Sequence, residues 1–199
     1  MKALRQLLVA IAALAAQLGF GLPSASAADP SAPVLLVAAP SLAGAYERTV
    51  LLALPAGNGA SVGFILNRPT QTSLAMLFPE IPAARQVRSP VFIGGPALRE
   101  SLFALVRSPH APSEGSVQVL PGLFMAFGSD DVSRVLNRFP ERARFYAGLV
   151  AWDEGELQGE LDAGAWYVLA PDIELVIQGS TDTLWTRLIE RVQSIVAQR

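Results

Sequence analysis

Apolar positions arrive in short runs punctuated by proline and glycine, the pattern of strands rather than of long helices. "VLLVAA" (34–39) predicts a strand that Pro40 ends. "TVLLAL" (49–54) and "SVGFIL" (61–66) flank "PAGNGA", and a turn holding two Gly and one Asn predicts a hairpin. "PVFIG" (90–94) and "SLFALVR" (101–107) are further strands, joined through Gly94, Gly95 and Pro96. "SVQVL" and "LFMAF" flank Pro121-Gly122 as a second hairpin. "RFYAGLVAW" (144–152), "AWYVLA" (165–170) and "ELVIQ" (174–178) complete the strands.

Four segments read as helices instead. "TSLAMLF" (72–78) starts at a Thr72 or Ser73 cap and stops before Pro79. "GSDDVSRVLNRF" takes Ser129 as N-cap, sets Asp130 and Asp131 against the helix dipole and ends at Pro140. In "DEGELQGELDAG" Asp153 caps, Glu156 stands where a capping box places it, and Gly164 is the stop. "STDTLWTRLIERVQSIVAQ", capped by Ser180 or Thr181, puts Leu184, Trp185, Leu188, Ile189, Val192, Ile195 and Val196 on one face. Strands and helices do not alternate regularly and nothing repeats. The order predicts one α+β domain with a mixed, strongly bent sheet and about four helices.

Composition adds a compartment. Of 199 residues 51% are apolar, and part of that excess sits at the N-terminus. There Lys2 and Arg5 precede an apolar run from Leu7 to Leu22, then Pro23 and "SASA". These are the charged region, apolar region and small-residue cleavage site of a secretory signal peptide, with the cut after Ala27. The run is shorter than the ~20 residues that span a bilayer. Residues 28–33 read as a disordered leader and 34–199 as the domain, placed in the periplasm. The chain has no Cys, which excludes lipid attachment through an N-terminal thiol. Export leaves 13 basic against 17 acidic residues, a net charge of −4, and every remaining cation is Arg. That balance offers no broad footprint for a nucleic-acid backbone.

"LLVAAPSLAGAYERTVLLAL", "GFILNRP", "VFIGGP", "FYAGLVAWDEGELQGEL", "AWYVLAPD" and "DTLWTRLIERV" occur in that order. Together they resemble the YqgE/AlgH family of bacterial proteins over about residues 34–192. The resemblance implies a complex α+β fold whose sheet closes into a pseudo-barrel. It implies no settled activity: members are mostly uncharacterised, and one branch is linked to transcriptional control of alginate production. The chain departs from its relatives at Gly148-Leu149-Val150-Ala151-Trp152, where they usually read Gly-Tyr-Ala-Gly-Trp. It also carries Pro55-Ala56-Gly57 where they often have Cys-Glu-His, so a thiol-based role cannot operate here. Relatives are usually cytoplasmic, and a working signal would remove this chain from DNA.

Two strand ends carry the candidate chemistry. Asn67-Arg68-Pro69 closes an apolar strand. The structural reading is that Asn67 bonds nearby backbone and Pro69 forbids further pairing. The functional reading is that Arg68, a rigid fork of five donors, is presented to an anionic group. Gly94 and Gly95 allow close backbone approach and positive φ, so their N–H groups are candidates to line the same site. Trp152 stands beside Asp153, Glu154 and Glu156: either an aromatic wall with carboxylates, or a core Trp before an acidic first helical turn. Those carboxylates lack a His or Cys neighbour and make a poor metal site. His110, the sole histidine, lies in a proline-flanked loop, and no Gly-x-Ser-x-Gly elbow supplies a nucleophile. No cofactor or metal is expected. The leading expectation is a periplasmic, non-enzymatic module that binds a small anionic ligand or an extended peptide at Asn67, Arg68, Gly94, Gly95 and Trp152. The rivals are an enzyme with a carboxylate site at Asp153, Glu154 or Glu156, and a regulator retained in the cytoplasm.

Overall fold

Strands dominate where β-branched and aromatic runs are bounded by turn residues. In the computed structural model, which describes residues 32–178 and 181–197, nine of them join one sheet. They are β1 (Val34–Ala38), β2 (Val50–Gly57), β3 (Ala60–Ile65), β4 (Phe92–Ile93), β5 (Ala97–Arg107), β6 (Val117–Leu120), β7 (Leu123–Phe127), β8 (Ala143–Trp152) and β9 (Trp166–Leu169). The helices are α1 (Leu74–Leu77), α2 (Ser129–Arg138), α3 (Glu156–Asp162), α4 (Ile173–Gln178) and α5 (Leu184–Ala197). The sheet order is β6-β7-β5-β8-β3-β2-β1-β9. Its pairings are antiparallel except β4, which runs parallel to β8. The sheet is therefore mixed, as expected, and curls into a half-barrel in a single α+β domain.

The bend is built at β8. Its first half pairs with β5, through Leu102↔Ala147 to Val106↔Ala143, and its second half pairs with β3, through Ser61↔Trp152 to Gly63↔Val150. Gly148 lies between the halves with φ +73, a conformation that costs an L side chain roughly 1 kcal/mol or more. The two ends of one strand thus belong to two differently oriented parts of the sheet.

Three apolar clusters follow from the curl. On the concave face Leu35, Leu52, Phe64, Phe103, Leu105 and Tyr146 meet Val176 and Ile177 of α4 and Leu184, Leu188 and Ile189 of α5. The convex face is covered at one end by Val132, Val135 and Leu136 of α2 against Ala104, Val106 and Phe145. At the other end Leu157 of α3 packs with Leu36, Leu51, Trp152 and Trp166. Strand β1 is buried on both faces, which explains why "VLLVAA" reads as a continuous run rather than an alternation.

Local expectations fared unevenly. The β2–β3 turn is tighter than "PAGNGA" suggested: only Asn58 (φ 51) and Gly59 (φ 73) lie between the strands, the pair of positive angles that a type I′ hairpin needs. Ser73 caps α1, accepting the Met76 N–H. Ser129 does not cap α2; Gly128 holds that position and Ser129 is the first helical residue. Helix α3 starts at Glu156 after left-handed Gly155, three residues beyond Asp153, yet the Glu156 carboxylate accepts the Asp153 N–H at 3.0 Å, half of a capping box. "ELVIQ" is not a strand but α4, which makes five α-helices among the described residues against the four expected. Its apolar residues Ile173, Val176 and Ile177 recur at helical spacing, and Asp172 Oδ1 accepts the Glu174 N–H at 2.8 Å as a start signal. The expected signal peptide, residues 28–31 of the leader and the Ser180 alternative for the α5 cap lie outside the described residues. No helix among the described residues is long and apolar enough to cross a membrane.

Candidate functional site

The end of β3 continues past Ile65 as an extended segment whose side chains replace missing backbone partners. Asn67 Oδ1 accepts the Val50 N–H and Asn67 Nδ2 donates to the Arg48 carbonyl, both at 2.9 Å. The amide copies a peptide unit and extends the β2–β3 ladder by one rung. Val50 is fully buried, so without Asn67 its N–H would be stranded. Arg68 Nη2 donates to the neighbouring carbonyl, Glu47, at 3.2 Å. One of the five Arg68 donors is spent there. Pro69 faces Phe92 in an isolated bridge, where its missing N–H costs nothing.

Both side chains grip the turn that follows the short 3-10 helix Gly44–Tyr46. That turn is held in an unusual shape. Arg48 has φ 54, a left-handed conformation uncommon for a residue with a Cβ. The Arg48 guanidinium lies 5.0 Å from the centroid of Trp185 on α5, and Trp185 Nε1 donates to the Ala38 carbonyl at 2.8 Å. Two guanidinium-bearing residues, Arg48 and Arg68, are thereby fixed on one corner.

The second strand end meets the first. Ile93 N–H donates to the Arg68 carbonyl and Ile65 N–H to the Gly94 carbonyl, both at 2.9 Å. Gly94 and Gly95 serve a backbone crossing. A Cβ on Gly94 would sit 2.1 Å from the Gly148 carbonyl oxygen, and one on Gly95 would sit 2.2 Å from the Leu149 carbonyl carbon. Close approach, not positive φ, is the property of glycine used here. The Gly94 N–H is already given to Ala147 at 2.8 Å.

Trp152 lies elsewhere. It pairs with Ser61 at the opposite end of β3, seven residues from Arg68, or roughly 20 Å along an extended chain. Its ring is buried under α3. Glu160 Oε2 accepts the indole N–H groups of both Trp152 (3.2 Å) and Trp166 (2.6 Å). Tyr46 packs edge-on against Trp166, and its hydroxyl pKa is raised by burial, then by the charges of Glu160 and Glu156. Asp153, Glu154 and Glu156 are exposed, which counts against the carboxylate enzyme. So the structure unites Asn67, Arg68, Gly94 and Gly95 in one seam and leaves Trp152 in the core.

Pattern reasoning passed over Arg107 and Arg142. Each flanks an apolar strand, a weak signal alone. Only the β5–β8 register sets them opposite each other, beside a groove of about 590 Å³.

Residues 35–197 match the family described as AlgH-like. The chain is 28% identical over 162 residues to a UPF0301 protein of Chlorobium phaeobacteroides, covering 80% of this chain and 84% of that one. It is 31% identical over 159 residues to a UPF0301 protein of Chlorobium chlorochromatii, covering 78% and 82%. Among solved structures it superposes on the AlgH protein of Pseudomonas aeruginosa with a TM-score of 0.69 at 20% identity, covering 89% and 98%. A protein of Corynebacterium diphtheriae gives a TM-score of 0.68 at 21% identity, covering 82% and 87%. These two likenesses concern the fold. With the match running from the first residues of β1 to the end of α5, the chain belongs to the AlgH-like family.

Proposed function

We propose that this protein is a non-enzymatic binding module which takes a small anionic ligand or an extended peptide at the corner made by Asn67, Arg68, Gly94 and Gly95. The observation that carries this reading is the Arg68 guanidinium, half-buried and anchored through a single donor, one residue from the amide that fixes the strained Arg48 turn. An anchored fork loses less entropy when it meets an oxyanion than a free one does. Ile93 is 46% exposed and its backbone is bonded to Arg68, which supplies an apolar neighbour for the body of the ligand. In this reading the two glycines shape the corner through their close packing, and Trp152 supports α3 rather than touching ligand.

The test is a titration of the full chain with carboxylates, phosphates and short peptides, read by the fluorescence of Trp185 and its two fellow tryptophans. Arg68→Ala should weaken binding about tenfold or more, as expected for loss of a charge-assisted contact. Binding that Arg68→Ala leaves untouched removes the site assignment.

The compartment belongs to the same proposal. The charged, apolar and small-residue pattern of residues 1–27 supports export. Cell fractionation with N-terminal sequencing should find a product beginning at Ala28 outside the inner membrane. Recovery of the intact chain from the cytosol would overturn export and bring the regulatory reading forward.

A further inference from the structure

At the rim of the concave face two arginines face each other. Leu105 pairs with Arg144 and Val106 with Ala143, and one step further the Arg107 N–H donates to the Arg142 carbonyl at 2.9 Å. Directly opposed residues of an antiparallel pair share a face with Cβ atoms roughly 5 Å apart, and like charges so placed destabilise the pair. Both side chains line the 590 Å³ groove together with Ser108, Gly122 and Ile173. That volume falls in the usual range for small-molecule sites, about 300–1,000 Å³. The floor is rigid. Ser108 is buried, its N–H donates to the Gly122 carbonyl at 3.0 Å, and its hydroxyl donates to the His110 carbonyl at 2.6 Å. Ile173 and the flanking prolines 109 and 121 make the wall apolar.

One of the two arginines is already met by a carboxylate from the chain itself. Glu174, next to Ile173 on α4, forms an ion pair with Arg107, and both side chains are about half exposed (53% and 50%). Arg142 is exposed, and among the described residues it has no acidic partner. Two cations matched by one internal anion, in a chain of net charge −2, form an arrangement that a second carboxylate would complete.

We propose that this groove is a binding site for a small carboxylate with a short apolar body. The ligand carboxylate bridges Arg107 and Arg142 through their paired donors, its body lies against Ile173 and the prolines, and Glu174 is a tethered competitor that the ligand displaces. A half-exposed ion pair is weak enough to yield. The site is separate from the Arg68 corner, so either can fail without the other.

The experiment is an amide NMR titration of the full chain with hexanoate, using hexanol and inorganic phosphate as controls. The amides of Ser108, Gly122 and Glu174 should shift with hexanoate and not with hexanol. Glu174→Gln should tighten hexanoate binding about threefold, and Arg142→Gln should weaken it at least tenfold while amides elsewhere keep their positions. Arg107→Gln serves as a second variant should Arg142→Gln disturb the fold. A peptide with a free C-terminus, set against its amidated form, identifies the source: tighter binding than hexanoate assigns the site to chain termini, weaker binding to free carboxylates, and both sustain the proposal. Two results overturn it: hexanoate affinity equal in wild type, Glu174→Gln and Arg142→Gln, or phosphate binding more tightly than hexanoate.

Discussion

Two apolar strands of this protein end in arginine, and their fates differ. Arg68 closes the run of β3; Arg107 closes β5. Around Arg68 the polar groups are absorbed by backbone. Asn67 substitutes for a peptide unit, Arg68 holds the Glu47 carbonyl, and Gly94 and Gly95 lie against the backbone of β8. Around Arg107 the side chain meets a side chain, a glutamate from a helix 67 residues away in sequence, while its backbone pairs with a second arginine across the ladder. The first region is bound into the fold, with only part of one guanidinium to spare. The second is left over by the fold. A polar residue at a strand end is thus ambiguous until its partners are known, and backbone partners signal architecture while charged side-chain partners at a rim leave chemistry available.

Substitutions can break that contrast, starting with the glycine crossing. Gly95→Ala or Gly148→Ala should cost more than about 3 kcal/mol in urea unfolding, or abolish folding, because each new Cβ overlaps backbone that cannot turn aside. If either variant is as stable as wild type, the seam is not a rigid element.

Next is alkaline pH. Tyr146, in the core against Phe92 of the seam, has its pKa raised from 10.0 to about 12, first by burial, with the Arg144 charge opposing the rise. Above pH 10 the unfolded chain releases this proton and the folded chain keeps it, so stability present below pH 10 is lost as pH rises toward 12. The loss approaches roughly 2–3 kcal/mol by pH 12. Unfolding free energies measured from pH 9 to 12 should show that slope, and Tyr146→Phe should flatten it.

Asn67→Ala should cost about 2 kcal/mol, since it strands the buried Val50 N–H as well as losing two bonds. Thermal melts of this variant beside Arg68→Ala would separate the latch from the fork. A cost for Arg68→Ala as large as that for Asn67→Ala would make Arg68 a structural residue too.

The smallest expected effect is at the rim. Glu174→Gln should change stability by no more than about 0.5 kcal/mol, because its ion pair is half exposed and screened. A larger cost would mean that Glu174 is built into the fold like Asn67, and the contrast between the two arginines would narrow.

Elements that depend on near neighbours could be read directly from the residues. The hairpin within "PAGNGA", the Pro121-Gly122 hairpin, a cap at Thr72 or Ser73 and the apolar face of α5 through Leu184, Leu188, Ile189 and Val192 were legible, since turn geometry, capping and periodicity act over a few residues. The family was legible too, from six segments in order. "ELVIQ" misled because a run of five apolar and polar residues fits either period, and its contacts with the concave core, made across the whole fold, chose helix. Tertiary structure alone decided what the polar strand ends do. Whether Gly95 lines a ligand or lets two strands cross depends on β8, more than fifty residues later, and whether Arg107 faces an arginine depends on register. Such partners are set by long-range pairing in a curled sheet, and a one-residue slip in that pairing would send every side chain to the other face.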